Sequence, residues 1–567
     1  MKHALTLSLP LVALIVAVAS PAHAVDWYVS PTGTLDSACT ARSTPCKLGS
    51  AAFAAVAGDT IILASGSYGQ LFIQNSGTEA APITIKADDC ATPIIESAVS
   101  VDADQLAGVS SEKGEYLRFE GLIVRGWSTG FGNHWVGGTD NTDVSNGHWT
   151  IKNCISYSNG RTGFTFFSAP SFQLIDSIAA HNGTSTEHAW SSGVTLFETT
   201  GTNLVQGVIS FENTDEQKHT DGSGFIVDEG SNNATFSNNL AFGNSGSCFR
   251  LTKSSGTTFV NNTCYHNSQF GSQATGPTNP SELYFTNGGV TIQDVNFKNN
   301  VIVGTGTAPA GSMAVQNQPT SGWSNNVVST GAAMFFTAPE GTNPDFTLTS
   351  AASTLIGKGA TGAGVPTTDI GFDPKCLVKR APKMFGLIPA LSRWQYDVDT
   401  DYIAAKGGVA KCFNASARPA TPDIGAYNNG AVKTYTETCT QGPGGTPTTG
   451  AGGGASAGGG ASSGGASPAA GGAPGSNTGG TATGAGGAGP GGNPAGTGSG
   501  AAAAAGVGTN AGAANGSPPA SDDGKDSSGC GCRMTSSRGS ELPSASALFA
   551  FTVLAVLRRR RERVGPR

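Results

Sequence analysis

The chain has 567 residues, of which 82 are Gly and only 13% are charged, and its formal net charge at neutral pH is −7. Nucleic-acid binding needs a basic face, so this charge balance argues against nucleic acid as a partner. It does not exclude an acidic polysaccharide, because a few local cations or a bound metal can reverse the sign of a single groove.

The first residues have the pattern of an export signal. A charged start at Lys2 precedes an apolar run at residues 5–18, and Ala22-His23-Ala24 forms a small-residue cleavage site. This pattern predicts a secretory signal peptide at residues 1–24. A membrane anchor is the less favoured interpretation, because the run is shorter than the ~20 residues that span a bilayer.

The opening of the mature chain predicts a cap. An Ala-rich helical stretch near residues 50–56 is followed by an apolar strand at residues 60–63. A helix and strand in this order would cover the open end of a solenoid, whose first coil otherwise exposes its core and its strand edge.

Residues 148–303 repeat one pattern: a short apolar alternation, an Asn step, and a second alternation that begins at Gly. The strands are short, β-branched and aromatic, and no helical period competes with them. The repeat length varies from 23 to 38 residues, as in a solenoid with loop insertions. We predict an all-β fold, a right-handed parallel β-helix, with structural, stacked asparagines at its corners. The corner residues are Asn153, Asp176, Gln206, Asn238-Asn239, Asn261-Asn262, Asn299-Asn300 and Asn325-Asn326.

Together the cap and the coils resemble secreted β-helix polysaccharide lyases, particularly the family-nine pectate lyases and their uncharacterised relatives. The resemblance runs to about Asn326, roughly half of the chain. Further on, Asp369-Ile370-Gly371 and residues 423–427 resemble the closing motifs of such domains. The resemblance implies that residues 25–439 form one β-helix domain with an N-terminal cap and a C-terminal closing region.

The remaining residues predict the location of the protein rather than a catalytic activity. Residues 440–528 are mostly Gly, Ala, Ser, Thr and Pro, a composition that predicts a disordered linker. Residues 529–567 contain Cys530 and Cys532, then a short apolar segment expected to be helical, then an Arg cluster. This order resembles the C-terminal sorting tails of myxobacterial surface proteins. It implies processing near the two cysteines by a protease or sorting machinery, and a domain anchored at the cell surface (outer membrane) or released outside. A weak permanent membrane anchor is the alternative.

Eleven cysteines in an exported chain predict disulfides. Cys39 with Cys46, and Cys376 with Cys412, are candidate pairs. Cys248 and Cys264 lie in successive repeats, where either a disulfide or two buried thiols would fit. Nine cysteines precede the linker, so at least one of them lacks a partner within the domain.

Four segments align on a small residue before the second alternation. Side chains alternate between faces along a strand, so every second residue points outward, and adjacent coils lie about 4.8 Å apart. Outward groups of neighbouring coils can therefore act on one sugar residue. The aligned starts are Gly163, Gly193, Gly224 and Cys248. The first outward column is Thr165, Thr195, Ile226 and Arg250, and the second is Phe167, Phe197, Asp228 and Thr252.

The turns before these strands add polar residues. His188 and His219 each lie five residues before the aligned Gly, and Asp221 belongs to a His-Thr-Asp-Gly segment that resembles one frequent in the uncharacterised relatives. We assign no metal ligand. The candidate catalytic residues are His219, Asp221, Asp228 and Arg250, and the candidate substrate contacts are His188, Trp190, Phe197, Glu229 and Lys253.

Lyase chemistry needs a base for the proton α to a uronate carboxylate and a cation for the developing charge. In the family a Lys is the base and Asp residues hold calcium; here Ile226 and Ser191-Ser192-Gly193 occupy the matching positions. Calcium stays possible, but its ligand pattern is absent and the cofactor stays open. We expect Arg250 to bind a substrate carboxylate and His219 to act as base. Two histidines with a carboxylate holding a transition metal is a further alternative.

The sequence thus favours a surface-displayed, monomeric, carbohydrate-active protein, a polysaccharide lyase-like enzyme acting on an acidic polysaccharide. A glycoside hydrolase is an alternative, because Asp221 with Asp228 or Glu229 supplies paired carboxylates. The other alternative is a non-catalytic glycan-binding or adhesin-like protein that uses exposed aromatics such as Phe167 and Phe197. The same residues also suit ordinary turns and solvated strand ends.

Overall fold

A computed structural model describes residues 24–34, 39–103, 107–111, 113–133, 146–268, 281–286, 291–304, 313–316, 322–330, 335–380, 395–429 and 439. The predicted signal peptide up to residue 23, the linker and the sorting tail with Cys530 and Cys532 lie outside these ranges, so those assignments stay predictions.

Three long parallel sheets, A, B and C, wind around one interior, and each coil adds a strand to each sheet in that order. Sheet A contains Asp26–Val29, Thr60–Leu63, Ile83–Ala87, Leu117–Glu120, Trp149–Lys152, Pro170–Ile175, Thr200–Gln206, Ala234–Ser237, Thr258–Val260, Asn296–Lys298 and Trp323–Ser324. Sheet B contains Gly66–Tyr68, Pro93–Glu96, Ile123–Arg125, Ile155–Tyr157, Ile178–Ala180, Ile209–Phe211, Leu240–Phe242, Thr263–Tyr265, Val301–Gly304 and Val327–Thr330. Sheet C contains Leu71–Ile73, Val109–Ser111, Phe131–Gly132, Phe164–Phe167, Ser192–Phe197, Ser223–Asp228, Phe249–Thr252, Ser281–Thr286 and Met313–Gln316. The fold is a right-handed parallel β-helix, as predicted.

Inward side chains of successive coils stack into the core. Phe225 and Phe249, paired between neighbouring strands of sheet C, have ring centroids 4.9 Å apart. Phe236 and Phe259 of sheet A stack at 5.2 Å. Each of these rings is at most 2% exposed, and burying a Phe contributes about 1.5–3 kcal/mol. The period-two alternation therefore fixes which residues face the interior.

Two ladders of buried asparagines hold the coils in register. In the turns between sheets B and C, each side-chain amide donates to the Oδ1 of the next Asn at 2.7–2.9 Å, and the last amide donates to Glu282. A second ladder runs between sheets A and B at 2.8–3.0 Å. The predicted structural role of the corner asparagines is thereby confirmed. The first ladder contains Asn159, Asn182, Asn213, Asn244 and Asn267, and the second contains Asn239, Asn262, Asn300 and Asn326.

The corner before each second ladder position is left-handed. Asn238, Asn261 and Asn299 have φ of 55°, 53° and 58°, a region that Asn tolerates better than most residues. One predicted corner is off by one residue: Gly207, at φ 67°, occupies the left-handed position rather than Gln206. Gly suits this conformation because it has no Cβ.

The aligned glycines of sheet C are required by close packing. A Cβ on Gly193 would lie 2.1 Å from Ser210 Oγ and 2.7 Å from the ladder amide of Asn213. At the equivalent position, Cys248 forms a disulfide with Cys264, which settles the open alternative for this pair.

The outer face of sheet B is covered by the closing region, of which residues 335–380 and 395–429 are described. The outward side chains of Phe211, Phe242 and Tyr265 share a second core with residues such as Phe346 and Tyr396. Both faces of these strands are therefore buried. The described residues of the closing region form two antiparallel strand pairs, one α-helix and two short 3₁₀ turns. These are Phe336–Ala338 with Asp345–Leu348, Leu377–Arg380 with Gln395–Val398, Thr400–Lys406, Pro374–Cys376 and Val409–Cys412.

A buried arginine ties the closing region to the coils. Arg418 donates to Asn238 Oδ1 at 2.8 Å and to the backbone oxygens of Thr368 and Gly425 at 3.1 and 2.8 Å. Burial lowers the pKa of this guanidinium to about 10. Both predicted closing motifs lie beside these contacts. Thr368 directly precedes Asp369-Ile370-Gly371, and Gly425 belongs to residues 423–427. Gly425 N also donates to Asn299 O of the coils.

The N-terminal cap is confirmed by the helix Leu48–Ala54, whose buried face adjoins the interior core. Disulfides join Cys39 to Cys46 and Cys376 to Cys412, as predicted, and Cys90 to Cys439. Within the described ranges Cys154 is the free, buried thiol that the odd count required. Neither helix in this part of the chain has the length and apolar character needed to cross a membrane.

Candidate functional site

The candidate site lies where the loop between sheets B and C enters Ser223–Asp228, together with the next strand, Phe249–Thr252. Thr195 pairs with Ile226, Ile226 with Arg250, and Arg250 with Tyr284. The first outward column is therefore in register as predicted. The second column is confirmed at Phe197 and Asp228, which are direct partners.

Arg250 is the centre of the cluster. Its Nη1 forms an ion pair with Asp221 Oδ1 and donates to the backbone oxygen of Thr220 at 3.3 Å. The guanidinium carbon lies 5.7 Å from the ring centroid of Tyr284 on the next coil, a cation–π distance. Arg250 is only 8% exposed, so the cluster is built around a buried guanidinium. The structure thus brings together Asp221 and Arg250, which are 29 residues apart in sequence.

Asp228 is a buried carboxyl rather than a solvated strand end. It is 8% exposed, and burial raises its pKa to about 7, although the charge of Arg250 acts in the opposite direction. Burial also raises the pKa of Asp221 above its usual range, against the lowering effect of Arg250, and Asp215 adds to the increase. Carboxyls that can hold or release a proton near neutral pH are typical of acid–base sites.

Glu229 and Lys253 form a second ion pair beside the first, with Nζ to Oε1 at 2.7 Å. Both side chains are about one-fifth exposed, so this pair is accessible to solvent. The negative charge of Glu229 also contributes to the raised pKa of Asp228. The predicted substrate contacts Glu229 and Lys253 therefore lie next to the predicted catalytic residues.

The two histidines lie in equivalent loops of successive coils, between sheets B and C, as expected. The backbone N of His219 donates to Asp215 O at 2.7 Å, and φ at His219 is 54°. His188 Nε2 lies 3.4 Å from the backbone oxygen of Ala103. Trp190, at φ 59°, is half-buried in the same loop as His188. Neither predicted role of an imidazole is decided by these contacts.

The aromatic platform differs from the expectation. Phe167 and Phe197 stack at 4.8 Å with ring planes 10° apart, which confirms the ladder. Phe197, however, is only 8% exposed. The expectation that Phe197 is an exposed ring is therefore wrong, whereas its predicted contact with a substrate stays a prediction.

Sequence reasoning missed Asp215. This residue is fully buried, and its Oδ2 accepts hydrogen bonds from Thr220 N, Thr220 Oγ1 and Asp221 N, each at 3.2 Å. A buried Asp that accepts from the N–H groups of a loop satisfies backbone donors that would otherwise lack a partner. Its position two residues after the ladder residue Asn213 was the available signal, but a capping Asp in a loop is common.

The residues do not fit the calcium site that the family resemblance implies. Ser191 and Ser192 replace its carboxylates, and Ser192 Oγ lies 2.5 Å from Thr195 Oγ1. The carboxylate of Asp221 is paired with Arg250. In the described ranges one group of potential ligand atoms lies within 4.8 Å, Cys248, Cys264 and Glu282, but its two sulfurs are joined in a disulfide.

Fold and site define the protein as a parallel β-helix with a buried cluster of charged groups on the outer side of sheet C. No family model matches the chain, and no curated protein matches it. Among solved structures it is similar to pectate lyase Pel9A, with 18% identity and a TM-score of 0.42 over 61% of this chain and 94% of that one. It is similar to a rhamnogalacturonan lyase, with 13% identity and a TM-score of 0.36 over 58% and 97% of the two chains. An alginate lyase from Paenibacillus sp. str. FPU-7 has 16% identity and a TM-score of 0.32 over 50% and 95%.

Proposed function

We propose that the protein is a carbohydrate-active enzyme that cleaves an acidic polysaccharide by β-elimination at the Asp221–Asp228–Arg250 cluster. The observation that carries the proposal is the buried carboxyl of Asp228, with a pKa of about 7, beside a buried guanidinium on the next coil. Burying an ionisable carboxyl lowers stability, which a purely structural strand end does not require. A general base that works at neutral pH, by contrast, needs a pKa raised in this way.

The proposed step uses this chain's own residues. A base removes the proton from the carbon α to a uronate carboxylate, the guanidinium of Arg250 stabilises the negative charge that develops on the carboxylate, and the bond to the glycosidic oxygen breaks. A double bond forms in one fragment, the glycosidic oxygen of the other fragment takes up a proton from water, and the base then releases its proton to solvent.

Two groups are candidates for the base. The sequence favoured His219 as the base. The structure supports Asp228 more strongly, because burial raises its pKa to about 7 and the charges of Arg250, Asp221 and Glu229 all act on its carboxyl. If Asp228 is the base, the cleavage rate rises as the pH increases through about 7, since the base must be ionised.

The proposal is tested by incubating the full chain with a panel of uronate polymers and following the ultraviolet absorbance of the unsaturated product. Wild type is expected to produce it, and Asp228→Asn to lose at least a hundredfold in rate, the usual scale of general-base catalysis. Glu216→Gln is the matched control and is expected to keep the rate. Glu216 is an acidic residue in the loop before Ser223–Asp228, and its carboxylate accepts a hydrogen bond from Thr214 Oγ1. His219→Ala decides between the two bases. If the wild-type protein produces no ultraviolet absorbance on any polymer of the panel, β-elimination is refuted.

A glycoside hydrolase is the second candidate, favoured by the raised pKa values of two carboxyls, Asp221 and Asp228. One would donate a proton to the glycosidic oxygen while the other activates water or attacks. New reducing ends without the ultraviolet signal would indicate hydrolysis. Retention on the polymer without either signal would indicate a glycan-binding or adhesin-like protein.

We propose that the domain is displayed at the cell surface by the predicted sorting tail. The support is the order of Cys530-Gly531-Cys532, an apolar segment and four arginines after a Gly-rich linker. Surface biotinylation of cells that express the chain tests this. Removal of residues 529–567 should release the domain to the medium, and unchanged surface retention of the truncated chain would refute the tail's role.

A further inference from the structure

Asp215 holds the backbone of three consecutive residues of the candidate site. Its carbonyl oxygen accepts from His219 N at 2.7 Å, and its side-chain Oδ2 accepts from Thr220 N, Thr220 Oγ1 and Asp221 N. Both loop residues predicted to be catalytic, His219 and Asp221, are therefore held by one buried residue, His219 by its backbone oxygen and Asp221 by its side chain.

Asp215 is itself fixed by the solenoid. It follows Asn213, whose amide donates to Asn244 in the ladder at 2.9 Å. The flanking backbone N–H groups of Thr214 and Glu216 donate to Asn182 O and Gly183 O of the previous coil at 2.8 and 3.1 Å. The loop that carries Asp221 thus starts from a point set by the register of the coils.

The contacts continue from this loop to the next coil. Arg250 Nη1 donates to Thr220 O and pairs with Asp221, the same two residues that Asp215 holds. Asp215 and Arg250 thus contact the same loop from two different elements, and Asp215 thereby fixes the distance between the loop and the guanidinium.

The charge of Asp215 exceeds what a turn cap needs. Its second oxygen, Oδ1, is buried without a hydrogen-bond donor, a costly arrangement for a carboxylate. An Asn at this position could accept the same three hydrogen bonds without a charge. The extra negative charge contributes to the raised pKa of Asp221, together with burial, and against Arg250.

We propose that Asp215 is a positioning residue: it presents Asp221 to Arg250, and its carboxylate faces the Asp221 loop from the side opposite to the guanidinium. This inference rests on the proposed function for its catalytic meaning. The charged groups that face Asp221 are Arg250 from the next coil, Asp215 from its own loop and Asp228 from the following strand.

The test compares Asp215→Asn, which keeps the acceptor oxygen and removes the charge, with Asp215→Ala, which removes both. The full chain is labelled with ¹³C at the Asp carboxyls, and the Asp221 signal is assigned by its loss in Asp221→Asn. In Asp215→Asn the Asp221 titration is expected to move to lower pH. Asp215→Ala is expected to lose about tenfold or more in cleavage rate.

Asp369→Asn is the matched control, because Asp369 is also a buried carboxylate that accepts from a loop N–H, that of Ser416, in the closing region. It should leave the Asp221 titration unchanged. An Asp221 titration that stays in place in Asp215→Asn would overturn the inference. A shifted titration in a protein that cleaves no polymer would support the placement of Asp221 by Asp215 and would refute the proposed function.

Discussion

Asp228 should make the folded protein less stable as the pH rises, and Asp228→Asn should remove this effect. The carboxyl is 8% exposed, and its pKa is raised from 3.8 to about 7. Because the folded pKa lies above the unfolded one, the stability linked to this group is complete below about pH 4 and is lost as the pH rises to 7. An amide cannot ionise, so the variant does not share this loss.

The magnitude follows from the shift. A difference of about three pKa units corresponds to about 4 kcal/mol, of which roughly 2–3 kcal/mol falls between pH 5 and pH 8. Urea unfolding of wild type and variant at several pH values measures this directly. The advantage of Asp228→Asn should grow by that amount from pH 5 to pH 8. Thr252→Val, a change in the same outward column without a titrating group, should give a constant difference. A constant difference for Asp228→Asn as well would refute the argument that burial holds this carboxyl near neutrality.

Three further changes test the coil packing and the site. Asn213→Ala should destabilise the fold by about 3 kcal/mol in urea unfolding, because it leaves buried partners in two neighbouring coils unsatisfied, whereas exposed Asn232→Ala should cost under about 1 kcal/mol. Gly193→Ala should lower stability by about 1–3 kcal/mol, since its Cβ would meet Ser210 Oγ at 2.1 Å, and Gly69→Ala, with no atom within 4 Å, should not; equal effects would argue against the close approach. A chelator should leave cleavage of uronate polymers unchanged, because Arg250 rather than a metal compensates Asp221, and loss of activity restored by added calcium would contradict this.

The fold could be predicted because its determinants are local and repeated. The alternation at Gly193–Phe197 and the Asn pairs at the corners each specify one coil, and stacking then follows from burial of the apolar face. The alignment on Gly193, Gly224 and Cys248 also fixes the columns, so the sequence alone predicts that Ile226 and Arg250 are neighbours, as the structure confirms.

The parts that could not be predicted depend on contacts between distant segments. Burial of Asp228, Arg250 and Phe197 is set by what packs outside the coils, and no period in the sequence encodes it. The covering of sheet B by residues 335–429 is of the same kind. Asp215 was missed because its role depends on a contact between coils: Thr220 and Asp221, which it holds, meet Arg250 of the next coil.

The central claim is that the register of adjacent coils places Asp221 against Arg250, and a double-mutant cycle on the free energy of unfolding tests it most directly. Removing either partner leaves a buried charge without compensation, so Asp221→Ala and Arg250→Ala should each cost about 3–5 kcal/mol. The double variant should cost less than the sum of the two by at least about 1 kcal/mol. If the cost of the double variant equals the sum of the two single costs, these side chains do not interact and the account is contradicted.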